Sequence, residues 1–211
     1  MVIGVKYYQV KHASDCNLSI DDKRWSAIED LWIDCFPWHQ TNAELLPETS
    51  VRLLHSEDEI SVCFDVKERN PVATYTKPND PVCRDSCVEF FFTPNLEDLH
   101  YLSFEINPLG TLLIGFGTSG NDIRYLNTDR ELFKIETNME QDCWQVKYQI
   151  PFFFLREYFQ KVDVHWKGNF MKCADRSATP HHGCWNLIGT AIPMFHMPEY
   201  FGRIDLCENK T

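Results

Sequence analysis

Alternation of apolar and polar residues is the main regularity of this chain, and it is clearest over residues 82–110. Cys87, Glu89 and Phe91 alternate with Val88, Phe90 and Phe92; after a short break Leu102, Phe104 and Ile106 alternate with Ser103, Glu105 and Asn107. A period of two is what a strand shows when one face of its sheet is buried, so this stretch predicts two facing strands. Glu89, Glu105 and Asn107 then share a face, which is either a solvated surface or the floor of a ligand site. The pattern repeats in Val51, Leu53 and His55, and again in Ile60, Val62, Phe64 and Val66 beyond a Glu57-Asp58 turn. Further strands are expected over 31–36, 112–116, 133–137, 144–150, 162–173 and 200–206. The acidic pair Asp21-Asp22 ahead of Trp25 predicts a short helical turn, and 152–159, after Pro151, is apolar enough for a short buried helix. Residues 68–81 read as a polar, proline-rich loop, and 174–184 as a second loop rich in His, Gly, Pro and Ser. Many short strands with one or two short helices predict an all-β fold, an antiparallel β-sandwich of immunoglobulin-like or jelly-roll-like type.

Length and composition narrow the picture. The 211 residues are enough for a sizeable core, and one domain over 1–211 is expected. A hydrophobic fraction of 44% with 14% aromatics excludes a disordered chain. The net charge of -11, with no Lys/Arg cluster, argues against nucleic acid as a partner, because phosphate binding is mainly electrostatic. No apolar run reaches membrane-spanning length, so no membrane partner is expected. Residues 1–8 lack the apolar core of a signal peptide; the chain as written is expected in the cytoplasm, or outside it if a leader has been removed. Nine cysteines at scattered spacings fit reduced thiols better than a disulfide framework.

Four landmarks in order carry a resemblance: Asp85-Ser86-Cys87-Val88-Glu89-Phe90-Phe91, Asn107-Pro108-Leu109-Gly110, Asn169-Phe170-Met171-Lys172-Cys173, and Phe195-His196-Met197-Pro198-Glu199-Tyr200-Phe201-Gly202. The chain resembles carbohydrate-binding module family 9, in particular its free-standing, DOMON-like members. The resemblance implies a non-catalytic β-sandwich that binds a mono- or oligosaccharide of the xylan or cellulose type. Such modules often accompany xylanases, so a hydrolase label can reach them by association. For some members it also implies calcium, although no Asp/Asn-rich loop here repeats a calcium pattern. No other cofactor is expected, and the pattern specifies no oligomeric state.

Sugar recognition needs an aromatic surface for the apolar face of a pyranose and fixed polar groups for its hydroxyls. Trp185, in a polar loop, is the best stacking candidate, and the resemblance puts it where the family has an aromatic wall; its structural alternative is a core tryptophan. The family's second aromatic falls on Cys83, and Tyr75 is the nearest replacement. Glu89 with Arg84 offers a hydrogen-bonding pair for vicinal hydroxyls, and is equally an ordinary ion pair. Asn169, Lys172 and His182 complete the candidate set.

Other chemistries compete. His181, His182, His196, Cys173 and Cys184 invite zinc, but their spacing lacks the paired short intervals of a closed zinc site. Met171, Met194, His196 and Met197 could ligate haem in a redox sandwich. Glu89 and Glu105, on neighbouring strands, are the two carboxylates available to a glycosidase.

Overall fold

A computed structural model describes residues 4–39 and 43–208; the first three residues of the amino-terminal stretch lie outside the described residues. The strands are β1 (Tyr7–His12), β2 (Leu31–Trp32), β3 (Glu48–His55), β4 (Glu59–Lys67), β5 (Cys87–Thr93), β6 (Tyr101–Ile106), β7 (Leu112–Gly117), β8 (Arg124–Tyr125), β9 (Glu136–Met139), β10 (Cys143–Pro151), β11 (His165–Cys173), β12 (His182–Cys184) and β13 (Gly202–Leu206). One α-helix, α1 (Phe152–Tyr158), follows Pro151, and short 3-10 turns punctuate the loops. Asp22 caps one of these turns over Lys23–Ala27, as its acidic side chain predicts.

The thirteen strands among the described residues form one curled sheet of order β8-β7-β6-β5-β11-β13-β1-β3-β4-β10-β9, with β12 on β11 and β2 on β3. The curl brings its two halves face to face. Phe104 of β6 lies 5.9 Å from Tyr148 of β10 across the core, and Phe64 of β4 lies 6.1 Å from Phe170 of β11. Within one half Phe90, Phe92, Phe170 and Trp166 form a continuous stack. Burying each such side chain contributes about 1.5–3 kcal/mol, so these aromatic contacts add to the cohesion of the core.

The sheet is mixed, which corrects the all-antiparallel expectation. Strand β1 runs parallel to β13 through Tyr7–Val10 and parallel to β3 through Lys11 and His12, passing from one half to the other. Parallel neighbours need long connections, and β1 meets strands separated from it by a long loop on one side and by most of the chain on the other. Its alternation is short, with Tyr8 and Val10 buried and Tyr7 exposed, and no strand is predicted there.

Two smaller differences have local causes. The expected strand over 133–137 splits into a 3-10 turn at Arg130–Phe133 and β9, because Lys134 adopts a left-handed conformation (φ 44°) that breaks an extended run. The expected strand over 31–36 keeps only Leu31 and Trp32, with a single bridge from Cys35 to Cys184 beyond it.

Candidate functional site

The face of β5, β6, β11 and β12 that points away from the core is concave and unusually buried. Register places Met171, Glu89, Glu105 and Leu113 in one row across β11, β5, β6 and β7, and His182, Cys173 and Cys87 in the next. Glu89 and Glu105 are directly opposed, so their side chains leave the sheet side by side. Over them closes the segment Pro193, Met194, Phe195 and His196, and the result is a pocket of about 300 Å³. Cys83, Cys173, Asp175 and His182 complete its lining.

The electrostatics of this floor are set by two carboxyls with little water. Glu89 is 2% exposed and Glu105 5%. Burial, reinforced by the Asp175 carboxylate, pushes the Glu89 carboxyl up to about 7, against the opposing effect of a hydrogen bond from the Cys173 thiol (3.1 Å). Burial and the neighbouring Glu89 push Glu105 well above the usual carboxylate range. Two such groups cannot both ionise cheaply, so the pair holds a proton where a solvated carboxylate would not. His182 is turned into the pocket by Asp175, whose carboxylate lies 2.8 Å from its Nε2. His196 hydrogen-bonds to the Tyr101 hydroxyl at 2.8 Å and packs on Phe91, and burial pushes it down to about 4.

The sequence candidates separate sharply on this geometry. Glu89 and His182 line the pocket. Trp185 does not: it is 4% exposed, lies in the main core, meets Phe170 edge to face at 5.9 Å and packs on Gly202, where an added Cβ would sit 2.4 Å from its ring. The stacking role expected of it is therefore corrected. The cause is that the supposed loop contains β12: pairing of His182 with Cys173 and of Gly183 with Lys172 sends His182 and Cys184 to the concave face, and Trp185 inward.

Lys172 and Asn169 are likewise corrected to structural roles. Lys172 is fully buried on the core side, 3.1 Å from Glu68, with its ammonium near the Trp144 ring and hydrogen-bonded to His181. Burial alone would raise the Glu68 carboxyl, but Lys172, the Trp144 indole N–H and Ser86 hold it below the usual range. Asn169 is 1% exposed and tied to the backbone of Asn186 by hydrogen bonds of 2.8 and 2.9 Å. Arg84 is exposed, and its carbonyl, not its guanidinium, holds the neighbouring chain through Arg176 N–H. Tyr75 is half-buried in an apolar cluster with Cys83, Leu113 and Phe195, beside the pocket.

The Asp85-Ser86 landmark is scaffolding. Asp85 is fully buried and accepts from Thr74 N–H and hydroxyl, Tyr75 N–H and Asn107 Nδ2, which pins the 72–80 loop to the sheet. The Asn107-Pro108-Leu109-Gly110 landmark is a turn closed by Gly110 N–H to Asn107 carbonyl at 2.8 Å, and Gly110 supplies its positive φ of 71°.

Several pocket residues were missed in the sequence: Asp175, Phe195, Met194 and Pro193, from segments without periodicity. Tyr125 was missed too. It pairs with Gly115 on β7, which puts it on the concave side, and it is 62% exposed. Its phenol is pushed up by burial and then by Glu105 and Cys83. Of the haem candidates, Met194 and His196 line the pocket and Met171 lies buried in the floor row beside Glu89, but His196 is engaged by Tyr101.

Of the zinc candidates, His182, His196 and Cys173 line the pocket, whereas His181 lies with Lys172 behind the sheet and the Cys184 backbone pairs with Cys35. Among the described residues, the side chains grouped closely enough to hold a metal are Cys87, Glu89 and Cys173. Two thiols do not suit calcium, which takes oxygen ligands.

A family model described as carbohydrate-binding family 9 matches residues 20–206. Among solved structures, the chain is similar to a candidate carbohydrate-binding protein from Bacteroides uniformis, at 28% identity and a TM-score of 0.83, covering 96% of this chain and 100% of that one. It is also similar in fold to a carbohydrate-binding module of family 9 from Caldicellulosiruptor kristjanssonii. The complex with glucose aligns at 17% identity and a TM-score of 0.67 over 98% of each chain. The complex with cellotriose aligns at 17% and 0.65, over 98% of this chain and 97% of that one. Among curated proteins, none matches.

Proposed function

Because the chain belongs to carbohydrate-binding family 9, we propose that it binds a mono- or short oligosaccharide, without turnover, in the concave pocket floored by Glu89 and Glu105. The observation that carries this reading is the opposed, buried carboxyl pair at the base of a 300 Å³ pocket. That volume is at the lower end of the roughly 300–1,000 Å³ of small-molecule sites and suits one or two sugar rings. A pair that shares a proton presents a donor and an acceptor side by side, which matches the two hydroxyls of a vicinal diol. His182, fixed by Asp175, adds a third polar contact, while Phe195 and Tyr125 supply aromatic surface for the ring. A β-linked glucan or xylan fragment is the favoured ligand class, since the family 9 module from Caldicellulosiruptor kristjanssonii was solved with glucose and with cellotriose.

A thermal-shift screen over glucose, xylose, cellobiose, xylobiose and cellotriose tests this reading. A ligand that binds only the folded state raises the melting temperature by mass action, and at one hundred times its Kd it adds about 2.7 kcal/mol. At least one of these sugars is expected to stabilise the protein, and a panel with no response at tens of millimolar would count against the reading.

The same carboxyl pair raises a hydrolase reading. A glycosidase places its two carboxyls on either side of the scissile bond, about 5–5.5 Å or 6.5–9.5 Å apart. Glu89 and Glu105 instead rise from adjacent strands on one side of the pocket, which suits binding. Turnover of aryl glycosides that disappears in Glu89→Gln would reverse that judgement.

A further inference from the structure

The pocket floor holds a second set of donors, and they are not explained by sugar recognition. Cys87 of β5 and Cys173 of β11 are directly opposed, so both thiols leave the sheet on the concave face, and Glu89 leaves it beside them. The two sulfurs and a Glu89 carboxylate oxygen all lie within 4.8 Å of one another. Cys87 is fully buried, and Cys173 and Glu89 are each 2% exposed. Cys83 adjoins them: its carbonyl oxygen lies 3.2 Å from the Cys173 sulfur, and the residue lines the same pocket.

Among the described residues, no lysine or arginine answers the Glu89–Glu105 pair within the pocket, and Asp175 is engaged by His182. The lining contains Glu89, Glu105 and Asp175 but no Lys or Arg. Lys172, the adjacent ammonium on β11, projects from the opposite face and is held by Glu68. Glu89 therefore has a thiol as its hydrogen-bond donor, although a buried carboxyl usually persists beside a cation or a metal.

We propose that Cys87, Cys173 and Glu89 form a binding site for a thiophilic divalent transition-metal ion of the zinc class, with its fourth position open to the pocket. Thiolate donors select such ions over calcium and magnesium. Tetrahedral zinc places sulfur at about 2.3 Å and carboxylate oxygen at about 2.0–2.2 Å, so donor atoms lie about 3.5–4 Å apart. On binding, the two S–H bonds break, two metal–sulfur bonds form and both protons leave for solvent through the pocket, together with the Glu89 proton where it is held. Glu105, directly opposed on β6, is the outer partner of the ligating carboxylate. Affinity therefore rises with pH.

Cobalt(II) titration of the whole protein tests the site directly. The protein is first stripped with a chelator and kept reduced with a phosphine. The expected result is a thiolate-to-cobalt charge-transfer band with intense tetrahedral d–d bands, saturating at one equivalent and abolished by zinc. The Cys87→Ser/Cys173→Ser variant should lose the spectrum, while Cys63→Ser, a buried thiol on β4, should keep it. Glu89→Gln is nearly isosteric; it should fold and weaken cobalt binding at least tenfold, which guards against a double variant that fails to fold. Absence of the charge-transfer band in the wild type, or its survival unchanged in Glu89→Gln, overturns the proposal. Sugar titration of the stripped protein reports on the carbohydrate reading separately, so the two can fail independently.

Discussion

At the scale of single residues, Trp185 and Glu89 illustrate what a sequence position can and cannot reveal. Trp185 has the right type and the right neighbours for a sugar platform, yet it packs between Phe170 and Gly202 in the core. Its replacement by Ala is expected to cost about 3–5 kcal/mol in chemical denaturation, as for other buried aromatics. Loss of binding in that variant would thus report unfolding and not a lost contact. Glu89 is the informative substitution. Its folded carboxyl titrates near 7, whereas an unfolded Glu titrates near 4.3, so between those pH values the native state holds a proton that the unfolded chain has released. Stability from this group is full below about pH 4.3 and falls as the pH rises through 7. Glu89→Gln removes the effect. The melting temperature of the wild type minus that of the variant should therefore decline between pH 5 and pH 7.5, by about 2–4 °C for each kcal/mol. His181 and His196, lowered to about 4, act in the opposite direction in both proteins and cancel in the difference. A flat difference would show that the carboxyl is ionised throughout. Tyr125, exposed on the same side of the sheet as the pocket, is predicted to weaken sugar affinity about tenfold when changed to Ala, with the melting temperature unchanged, as read by calorimetric titration.

At the scale of elements, the alternation around Glu89 and Glu105 was enough to read β5 and β6 and to place both carboxyls on one face. Whether that face was solvated was not legible, because its cover, the 193–196 segment, has no period and comes from ninety residues further along. The three-residue β12 was equally illegible: too short for periodicity, it is fixed by its partner β11, and it alone decides that His182 faces the pocket and Trp185 the core. Landmarks of the family were visible, but their meaning was not. Asp85 holds a loop against the sheet. Asp85→Ala leaves Thr74 N–H, Tyr75 N–H and Asn107 Nδ2 without this acceptor, and a loss of about 3 kcal/mol or more is expected in urea unfolding.

At the scale of the whole molecule, one strand joins the two halves of the sheet. β1 hydrogen-bonds to β13 through its first four residues and to β3 through its last two. It was not anticipated from the sequence because parallel pairing between the start and the end of a chain has no local signal. Deleting residues 1–12 exposes the edges of β13 and β3, and a protein that aggregates or melts at least 10 °C lower is expected by size-exclusion chromatography and calorimetry. The concave face draws β5, β6 and β11 from the half that β1 secures through β13, so the site depends on this join.

The central claim is that sugar is held by the Glu89–Glu105 floor. Isothermal titration of cellotriose and xylobiose into the chelator-stripped wild type and Glu89→Gln, at pH 6 and with both melting curves recorded, tests it most directly. The account predicts saturable binding of at least one sugar by the wild type, falling tenfold or more in a variant that melts as a folded protein. Equal affinity in the two proteins would contradict it and place the ligand elsewhere on the molecule.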